Sequence, residues 1–426
     1  MKLKKMNFFV GLGLIIFLTL YLNLKSVWSK DTCIECHLLL DEKNVAIVEN
    51  FKKDIHFLRG ISCNGCHGGD ASLGMDDPFA SMDSQKGFVG TPDHFKIPAF
   101  CGKCHSDIEY MRKFNPKLRV DQHQLYKTSM HGKLLAGGDK NVATCISCHG
   151  SHGILPISDP NSPVFDLNVP KTCAKCHADA SHMKNYKIPT DQFEKYSQSV
   201  HGMILLKNRD RSAPACNDCH GNHGAIPPGL GDIASACGEC HSSNRELFNE
   251  SPHKQIFKEA GLPECVTCHD HHLVAKTSDE MLGVGEKSVC MQCHTEPESE
   301  PYKVAFQIKA NLDSLKNSIR QAQLLIEKAE KAGIDVGKAK FELNLAKDDV
   351  IKIQSLIHSV SLAKVTEVTQ EGISKATFVK QSGQRALMDL KMRRIGLGGS
   401  AVIILILAFG LYLKIREVDA RSKRVK

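Results

Sequence analysis

All 18 cysteines of the chain belong to one pentapeptide, Cys-x-x-Cys-His, which occurs nine times. Two thiols three positions apart can bond to the two vinyl groups of one porphyrin, and the adjacent histidine then binds the iron from one side. We therefore predict nine covalently attached haem c groups. The attachment cysteines are Cys33, Cys36, Cys63, Cys66, Cys101, Cys104, Cys145, Cys148, Cys173, Cys176, Cys216, Cys219, Cys237, Cys240, Cys265, Cys268, Cys290 and Cys293. The proximal iron ligands are His37, His67, His105, His149, His177, His220, His241, His269 and His294.

Zinc sites and disulfide bonds are the alternative uses of paired cysteines. A zinc ribbon combines two Cys-x-x-Cys pairs and needs no histidine directly after each pair. A disulfide framework has no reason to repeat one spacing throughout a chain. Nine complete motifs without a leftover cysteine therefore favour haem over both alternatives.

The motif region repeats internally, as four two-motif repeats behind one leading motif. Three repeats have a serine two positions before a histidine, which we call the lead-in histidine, and the first repeat has its lead-in histidine without the serine. The second, third and fourth repeats also have a histidine three positions after the proximal histidine of their first motif, which we call the trailing histidine. In the first repeat Asp70 occupies the trailing position, and His94, ahead of Cys101, is the alternative ligand there. The lead-in histidines are His56, His131, His201 and His253, and the trailing histidines are His152, His223 and His272.

These extra histidines are candidates for the second axial position of the irons. Histidine on both faces makes an iron six-coordinate and closed to substrates. The seven lead-in and trailing histidines are predicted to be distal ligands because a repeat keeps them at fixed offsets. Four further histidines complete the set of distal candidates without recurring in the repeats, namely His94, His123, His182 and His271.

The segment that carries the motifs is too short for an ordinary hydrophobic core around every porphyrin. Residues 30–300 provide about 30 residues for each haem. Proline and glycine occur throughout this segment, and only 6% of the chain is aromatic. We therefore predict a nonahaem cytochrome c domain over residues 30–300, mostly α and irregular with little sheet.

Residues 301–394 differ in character, since they lack cysteine and have a helical spacing of apolar residues. Spacings of four and three alternate from Ile308 to Ala329 and from Ala339 to Val360, and a weaker pattern follows. We predict an antiparallel bundle of three helices that acts as a stalk. Its one histidine, His358, is interpreted as a solvated residue near a helix end, with a role as haem ligand or quinol contact as the alternative.

Both ends of the chain indicate a membrane. Residues 1–29 combine lysines, a short apolar stretch and a small-residue site ending at Ser29, so we predict a cleaved signal peptide, with an uncleaved N-terminal anchor as the alternative. Residues 395–413 carry no charge and are long enough for a transmembrane helix. The basic tail, residues 414–426, is then cytoplasmic. This predicts a single-pass protein of the bacterial inner (cytoplasmic) membrane with its haem domain in the periplasm.

The sequences Cys-His-Gly-Ser-His-Gly and Cys-His-Gly-Asn-His-Gly resemble the doubled CXXCH, cytochrome c3-like multihaem cytochromes of bacterial respiratory chains. The resemblance covers residues 31–297 and implies periplasmic electron transfer. It implies as partners an integral membrane cytochrome b or iron–sulfur subunit that oxidises quinol, and periplasmic cytochromes or reductases as acceptors. An electron carrier, and not an enzyme in the acid–base sense, is the expected role.

Two departures limit that resemblance. Multihaem nitrite reductases hold a catalytic haem through Cys-x-x-Cys-Lys, which does not occur in this chain. Small quinol dehydrogenases of similar design place methionine where this chain has Leu39. The alternative function is reduction of a small nitrogen or sulfur oxyanion at one haem with an open coordination position, either the first haem or the one beside Asp70.

The formal charge of +8 does not indicate a nucleic-acid partner. Nine haems would add 18 propionates and, when oxidised, one net positive charge on each ferric porphyrin core, which brings the oxidised holoprotein to about −1 and the reduced one to about −10. We expect no nucleic-acid binding.

Overall fold

The computed structural model describes residues 31–77, 79–226 and 233–425. Over these residues the chain forms α-helices, one π-helical turn, short 3-10 turns and loops, and they contain no β-strand. This confirms the prediction of a mostly α and irregular fold with little sheet. The predicted signal peptide or anchor, residues 1–29, lies outside the described residues, and so does Lys426 of the basic tail.

The chain divides into two compact units. The first unit comprises Met1–Gly231 and His271–Ala275, and the second comprises Asp232–Asp270 and Lys276–Lys426. The α-helices of the first unit are Thr32–His37, Glu42–Phe51, Ile55–Leu58, Cys63–His67, Ile97–His105, Ile108–Arg112, Gln122–Thr128, Met130–Ala136, Cys145–His149, Val169–His177, Ala180–Met183, Gln192–Gln198, Val200–Gly202 and Cys216–His220. Those of the second unit are Ile233–Cys240, Ser242–Glu250, Pro252–Ala260, Glu264–His269, Glu300–Lys331, Gly337–Leu356 and Leu362–Val425.

A capped turn holds the lead-in histidine in the second and third repeats. In the second repeat the Ser129 hydroxyl accepts a hydrogen bond from the Gly132 N–H (2.9 Å) and donates one to the Tyr126 carbonyl (2.6 Å). A Cβ on Gly132 would lie 2.0 Å from that carbonyl oxygen, so the position requires glycine. Ser199 and Gly202 build the same turn in the third repeat. The Ser-x-His-Gly pattern therefore encodes a local structure that fixes the histidine.

Backbone hydrogen bonds join one repeat to the next. The amide directly before a lead-in histidine donates to the carbonyl two residues after the trailing histidine of the following repeat. The fourth repeat has Pro252 at the donor position, and proline has no N–H to give. The series of bonds between repeats therefore ends with the fourth repeat. The three bonds run from Ile55 to Ile154 (2.8 Å), from Met130 to Ala225 (2.9 Å) and from Val200 to Val274 (2.8 Å).

Three long helices of the second unit form the predicted antiparallel bundle. The first bundle helix is Glu300–Lys331, the second is Gly337–Leu356 and the third is Leu362–Val425. Residues at the predicted apolar spacings form its core, and a Cβ on Gly372 would lie 2.8 Å from Leu315, so the helices pack closely there. Fully or almost fully buried side chains include Leu312, Leu315, Ala322, Ile326, Ala346, Ile353, Val365, Ala376 and Val379.

The third bundle helix continues without interruption into the predicted transmembrane segment. Leu362–Arg421 is long and apolar enough to cross a membrane, by length and composition. Residues 395–413 within it are exposed on all sides. At a rise of 1.5 Å per residue, the helix extends about 50 Å from Leu362 to Ile395. The helix start therefore stands well away from the candidate membrane span.

Truncation of one core leucine is expected to destabilise the bundle strongly. Leu315 is 0% exposed between the helices, so Leu315→Ala removes contacts that the surroundings cannot replace. We expect the free energy of unfolding to fall by about 2–5 kcal/mol. Leu324→Ala, at a position 62% exposed on the same helix, is the matched control and should cost less than about 0.5 kcal/mol. Denaturant unfolding followed by far-ultraviolet circular dichroism measures both, and equal losses would contradict the predicted packing.

Candidate haem sites

The Cys-x-x-Cys-His motifs lie on or beside short helical turns. Residues three apart share one face of a helix, so the two thiols of a motif point to the same side. Seven α-helices end at the proximal histidine itself, and His241 follows the helix Ile233–Cys240 directly. After the first motif of each repeat the backbone turns sharply, with positive φ between 61° and 81°, which separates the trailing position from the motif helix. These positive-φ residues are Gly68, Gly150, Gly221 and Asp270.

Cysteines of consecutive motifs lie beside one another. In three pairs of consecutive motifs, a thiol of one motif is hydrogen-bonded to a thiol of the other. This bond raises the pKa of one thiol and lowers that of the other, and the pKa of Cys237 falls to about 7. The three pairs are Cys101 with Cys145, Cys173 with Cys216, and Cys237 with Cys265.

The pKa values of other thiols also show that consecutive motifs lie close together. Burial, followed by the charge of Cys173 of the next motif, raises the pKa of Cys148 to about 11. Burial, followed by the charge of Asp31 and then Cys33, raises that of Cys63 to about 12. Similar effects join the second motif to the third and the eighth to the ninth. The first six motifs in the first unit, and the last three in the second, therefore each form a continuous series of neighbours.

Seven proximal histidines face a second histidine. The ring centroids of each pair are 5.8 to 6.1 Å apart. This narrow range recurs although the partners come from very different parts of the sequence. The pairs are His56–His105, His67–His152, His131–His177, His149–His223, His220–His272, His253–His294 and His269–His358.

The spacing of the pairs matches two imidazoles on opposite faces of one iron. A metal–nitrogen bond of about 2.0 Å on each side, with about 1.1 Å from each nitrogen to its ring centre, gives a centroid separation of about 6.2 Å. Imidazoles in direct van der Waals contact can lie closer together, as the edge-to-face pair His271 and His272 does at 4.7 Å. The residues present therefore fit haem with two axial histidines.

The pairing follows two rules. Three lead-in histidines face the second proximal histidine of their own repeat, as His131 faces His177. A trailing histidine faces the first proximal histidine of the preceding repeat, as His152 faces His67. All rings of this trailing class are nearly parallel, with interplanar angles of 16° or less. Each repeat thus depends on its successor for one candidate ligand.

Hydrogen bonds on the other ring nitrogen orient several of these histidines. Nδ1 of His56 bonds the buried Asp54 carboxylate at 2.8 Å, and Nδ1 of His67 bonds the Gly90 carbonyl at 2.7 Å. Nδ1 of His358 bonds the Ser355 carbonyl at 2.9 Å. A second partner of this kind fixes the tautomer and leaves Nε2 for a metal. Burial also lowers the pKa of most paired imidazoles, which favours the neutral form that binds iron.

The four non-recurring candidates lie elsewhere. Nε2 of His94, the nitrogen that an iron would need, bonds the Val142 carbonyl at 3.1 Å. His123 packs against Gly102, where an added Cβ would lie 2.6 Å from its Nδ1. His182 contacts Tyr186, and His271 contacts its neighbour His272. None of these four histidines therefore faces a proximal histidine in the recorded ring contacts.

One histidine that the sequence pattern left aside has a proximal partner. His358, interpreted above as a solvated helix-end residue, is half-buried and faces His269, with ring centroids 6.1 Å apart and planes 26° apart. It belongs to no repeat, so no periodicity identifies it. The absence of a fifth repeat to supply a trailing histidine to His269 is the one signal that could have done so.

Two proximal histidines, His37 and His241, are in none of the recorded histidine pairs. By the lead-in rule the partner of His241 would be His201. By the trailing rule the partner of His37 would come from position 70, which is Asp70. The Thr32 amide, on the helix of the first motif, donates to the Ala71 carbonyl at 3.0 Å, so the loop that follows Asp70 lies against that motif.

Comparison with known proteins finds one distant similarity. The chain is 20% identical over 167 residues to a C-type polyheme cytochrome, OmcC of Geobacter sulfurreducens. The match covers 34% of this chain and 20% of that cytochrome, so the chain spans about a fifth of the length of this curated relative. No family model and no solved structure matches the chain. This similarity supports electron transfer by a multihaem cytochrome with covalently bound haem c.

Proposed function

We propose that the chain transfers electrons through nine covalently bound haem c groups, held in the periplasm by a C-terminal membrane anchor. The observation that carries this proposal is the set of seven histidine pairs at one common spacing, each including the histidine of a Cys-x-x-Cys-His motif. When bound, the haems supply one-electron redox chemistry between neighbouring irons.

The protein residues would hold and insulate this array. The thiols would fix each porphyrin, and the contacts between cysteines of consecutive motifs would keep neighbouring porphyrins close. Paired histidines would close the irons to substrates and hold the potentials below those of histidine–methionine ligation. Such an array requires no acid, base or nucleophile.

The partners that we propose follow from the membrane anchor and the length of the stalk. The donor is a quinol-oxidising membrane complex with a cytochrome b or iron–sulfur subunit, and the acceptors are periplasmic cytochromes or reductases. Because the third bundle helix extends about 50 Å before the candidate membrane span, the donor must present a redox centre well outside the bilayer. A peripheral iron–sulfur or haem subunit meets this requirement.

Mass measurement of the mature protein tests the cofactor. We expect the polypeptide mass plus nine haems, and a ferric spectrum dominated by low-spin, six-coordinate iron. Free thiols or bound zinc at the motifs would contradict the proposal. Extraction with mild detergent tests the partners, because quinol-oxidising subunits should be recovered with the chain, whereas recovery of a lone, fully soluble protein would contradict membrane association.

The first motif favours a second candidate function, reduction of a small nitrogen or sulfur oxyanion. Asp70 stands at the position from which the trailing rule would supply a histidine to His37, where the other repeats have His152, His223 and His272. A haem bound by His37 would then have an accessible sixth position. Carbon monoxide binding to the native reduced protein tests for this open position, and oxidation of the reduced protein by such an oxyanion distinguishes this function from pure electron transfer.

A further inference from the structure

No trailing histidine is left for the last repeat. Each trailing histidine serves the preceding repeat, so the first proximal histidine of the fourth repeat, His269, has no successor to provide a ligand. Pro252 also removes the amide that would bond a following repeat. The end of the array therefore needs a different element to complete it.

The turn between the second and third bundle helices lies at this place. The 3-10 turn Ile357–Ser359 carries His358, whose ring centroid lies 6.1 Å from that of His269. The separation equals that of the pairs His67–His152 and His149–His223, and the 26° between the planes is close to the near-parallel trailing class. His358 thus reproduces the geometry of a trailing histidine from outside the repeats.

The surrounding bonds fix this turn. The Ser355 carbonyl holds Nδ1 of His358, and the buried Ser359 hydroxyl donates to the Leu356 carbonyl at 2.7 Å. Val360 adopts a left-handed conformation with φ of 52°, which is strained for a β-branched residue. Strained residues of this kind are retained where surrounding contacts hold the backbone in place, and they occur often at functional sites.

Contacts within the second unit hold the turn against the last haem repeat. Lys364, at the start of the third bundle helix, forms an ion pair with Glu250 at 2.7 Å. Lys316 of the first bundle helix forms an ion pair with Asp279, and Leu282 packs against the bundle core. These contacts come from both sides of the motif that ends at His269. The bundle and the last repeat therefore form one packed structure.

We propose that His358 is the distal iron ligand of the haem attached at Cys265 and Cys268, and that the helical bundle thereby completes the repeat array. This inference rests on the proposed function, because it requires haem at that motif. It changes the role of the bundle from a spacer to a part of the haem domain. Ligation of this iron then depends on the folded bundle.

The test is the full-length membrane protein with His358→Ala. We expect the variant to retain nine haems by mass, to gain one haem equivalent of high-spin ferric signal by electron paramagnetic resonance, and to bind one more carbon monoxide than the native protein. His152→Ala is the positive control and should give the same gain, because His152 faces His67 in the same geometry. His182→Ala is the negative control, since His182 contacts Tyr186 and should give no gain.

A second variant covers the case in which His358→Ala does not fold. His358→Met supplies a weaker axial ligand, and we expect it to keep the haem six-coordinate while one component of the redox titration moves to higher potential. A His358→Ala protein that carries nine haems and gains no carbon monoxide site, or a His358→Met protein with an unchanged titration, would overturn ligation by His358. A native protein without haem would instead overturn the proposed function itself.

Discussion

A chain produced without haem attachment is expected to lose the structure of residues 31–297 and to keep the three bundle helices folded. The described residues before the bundle contain thirteen buried apolar side chains scattered between Val48 and Phe257, whereas seventeen lie between Ala305 and Val379 in the bundle. The one buried cluster recorded in the first unit has four members. Without porphyrin to fill its interior, the haem region lacks the apolar burial that offsets conformational entropy.

Limited proteolysis measures this difference directly. The haem-free chain can be obtained by removing residues 1–29, so that it remains in the cytoplasm, where haem is not attached. We expect rapid cleavage throughout the motif region and a resistant fragment that begins near residue 300. The native haem-loaded protein is the control, and both of its regions should resist. A haem-free motif region as resistant as the bundle would show that the polypeptide alone maintains that fold.

Restoring a histidine at position 70 is expected to abolish carbon monoxide binding by the native reduced protein. We expect the native protein to bind carbon monoxide at the haem of His37, because position 70 is the trailing position and carries a carboxylate. Asp70 accepts hydrogen bonds from the Ser72 amide and hydroxyl, and these bonds hold its pKa below the usual value, so it remains ionised. Gly68 and Gly69 have positive φ, as Gly150 does before His152, so the loop already has the required turn.

Spectroscopy of Asp70→His and Asp70→Asn separates ligation from charge. The histidine variant should lose the carbon monoxide complex and its high-spin signal almost completely, since a second imidazole closes the iron. Asp70→Asn removes the charge without adding an imidazole and should retain both signals. A native protein that is wholly low-spin, or a histidine variant that still binds carbon monoxide, would contradict the assignment and with it the reductase candidate. Loss in the histidine variant alone would direct substrate searches to the first haem.

The sequence alone is sufficient for the chemistry of attachment and for local structure. The motif spacing predicts where porphyrin is bound because thioether formation depends on neighbouring residues only. The alternation of threes and fours from Ile308 to Ala329 predicts the buried face of the first bundle helix because helical periodicity is local, and those residues are buried. The Ser-x-His-Gly pattern likewise marks turns whose hydrogen bonds stay within four residues.

The tertiary structure alone decides which histidines face one another. His152 meets His67 of the preceding repeat and not its own motif, and no spacing in the chain reveals this exchange. His358 reaches His269 from a segment without any motif, while His94, a candidate by position, gives its Nε2 to a backbone carbonyl. Axial pairing depends on how separate segments pack around a shared volume, and that packing is a property of the folded chain and not of any local pattern.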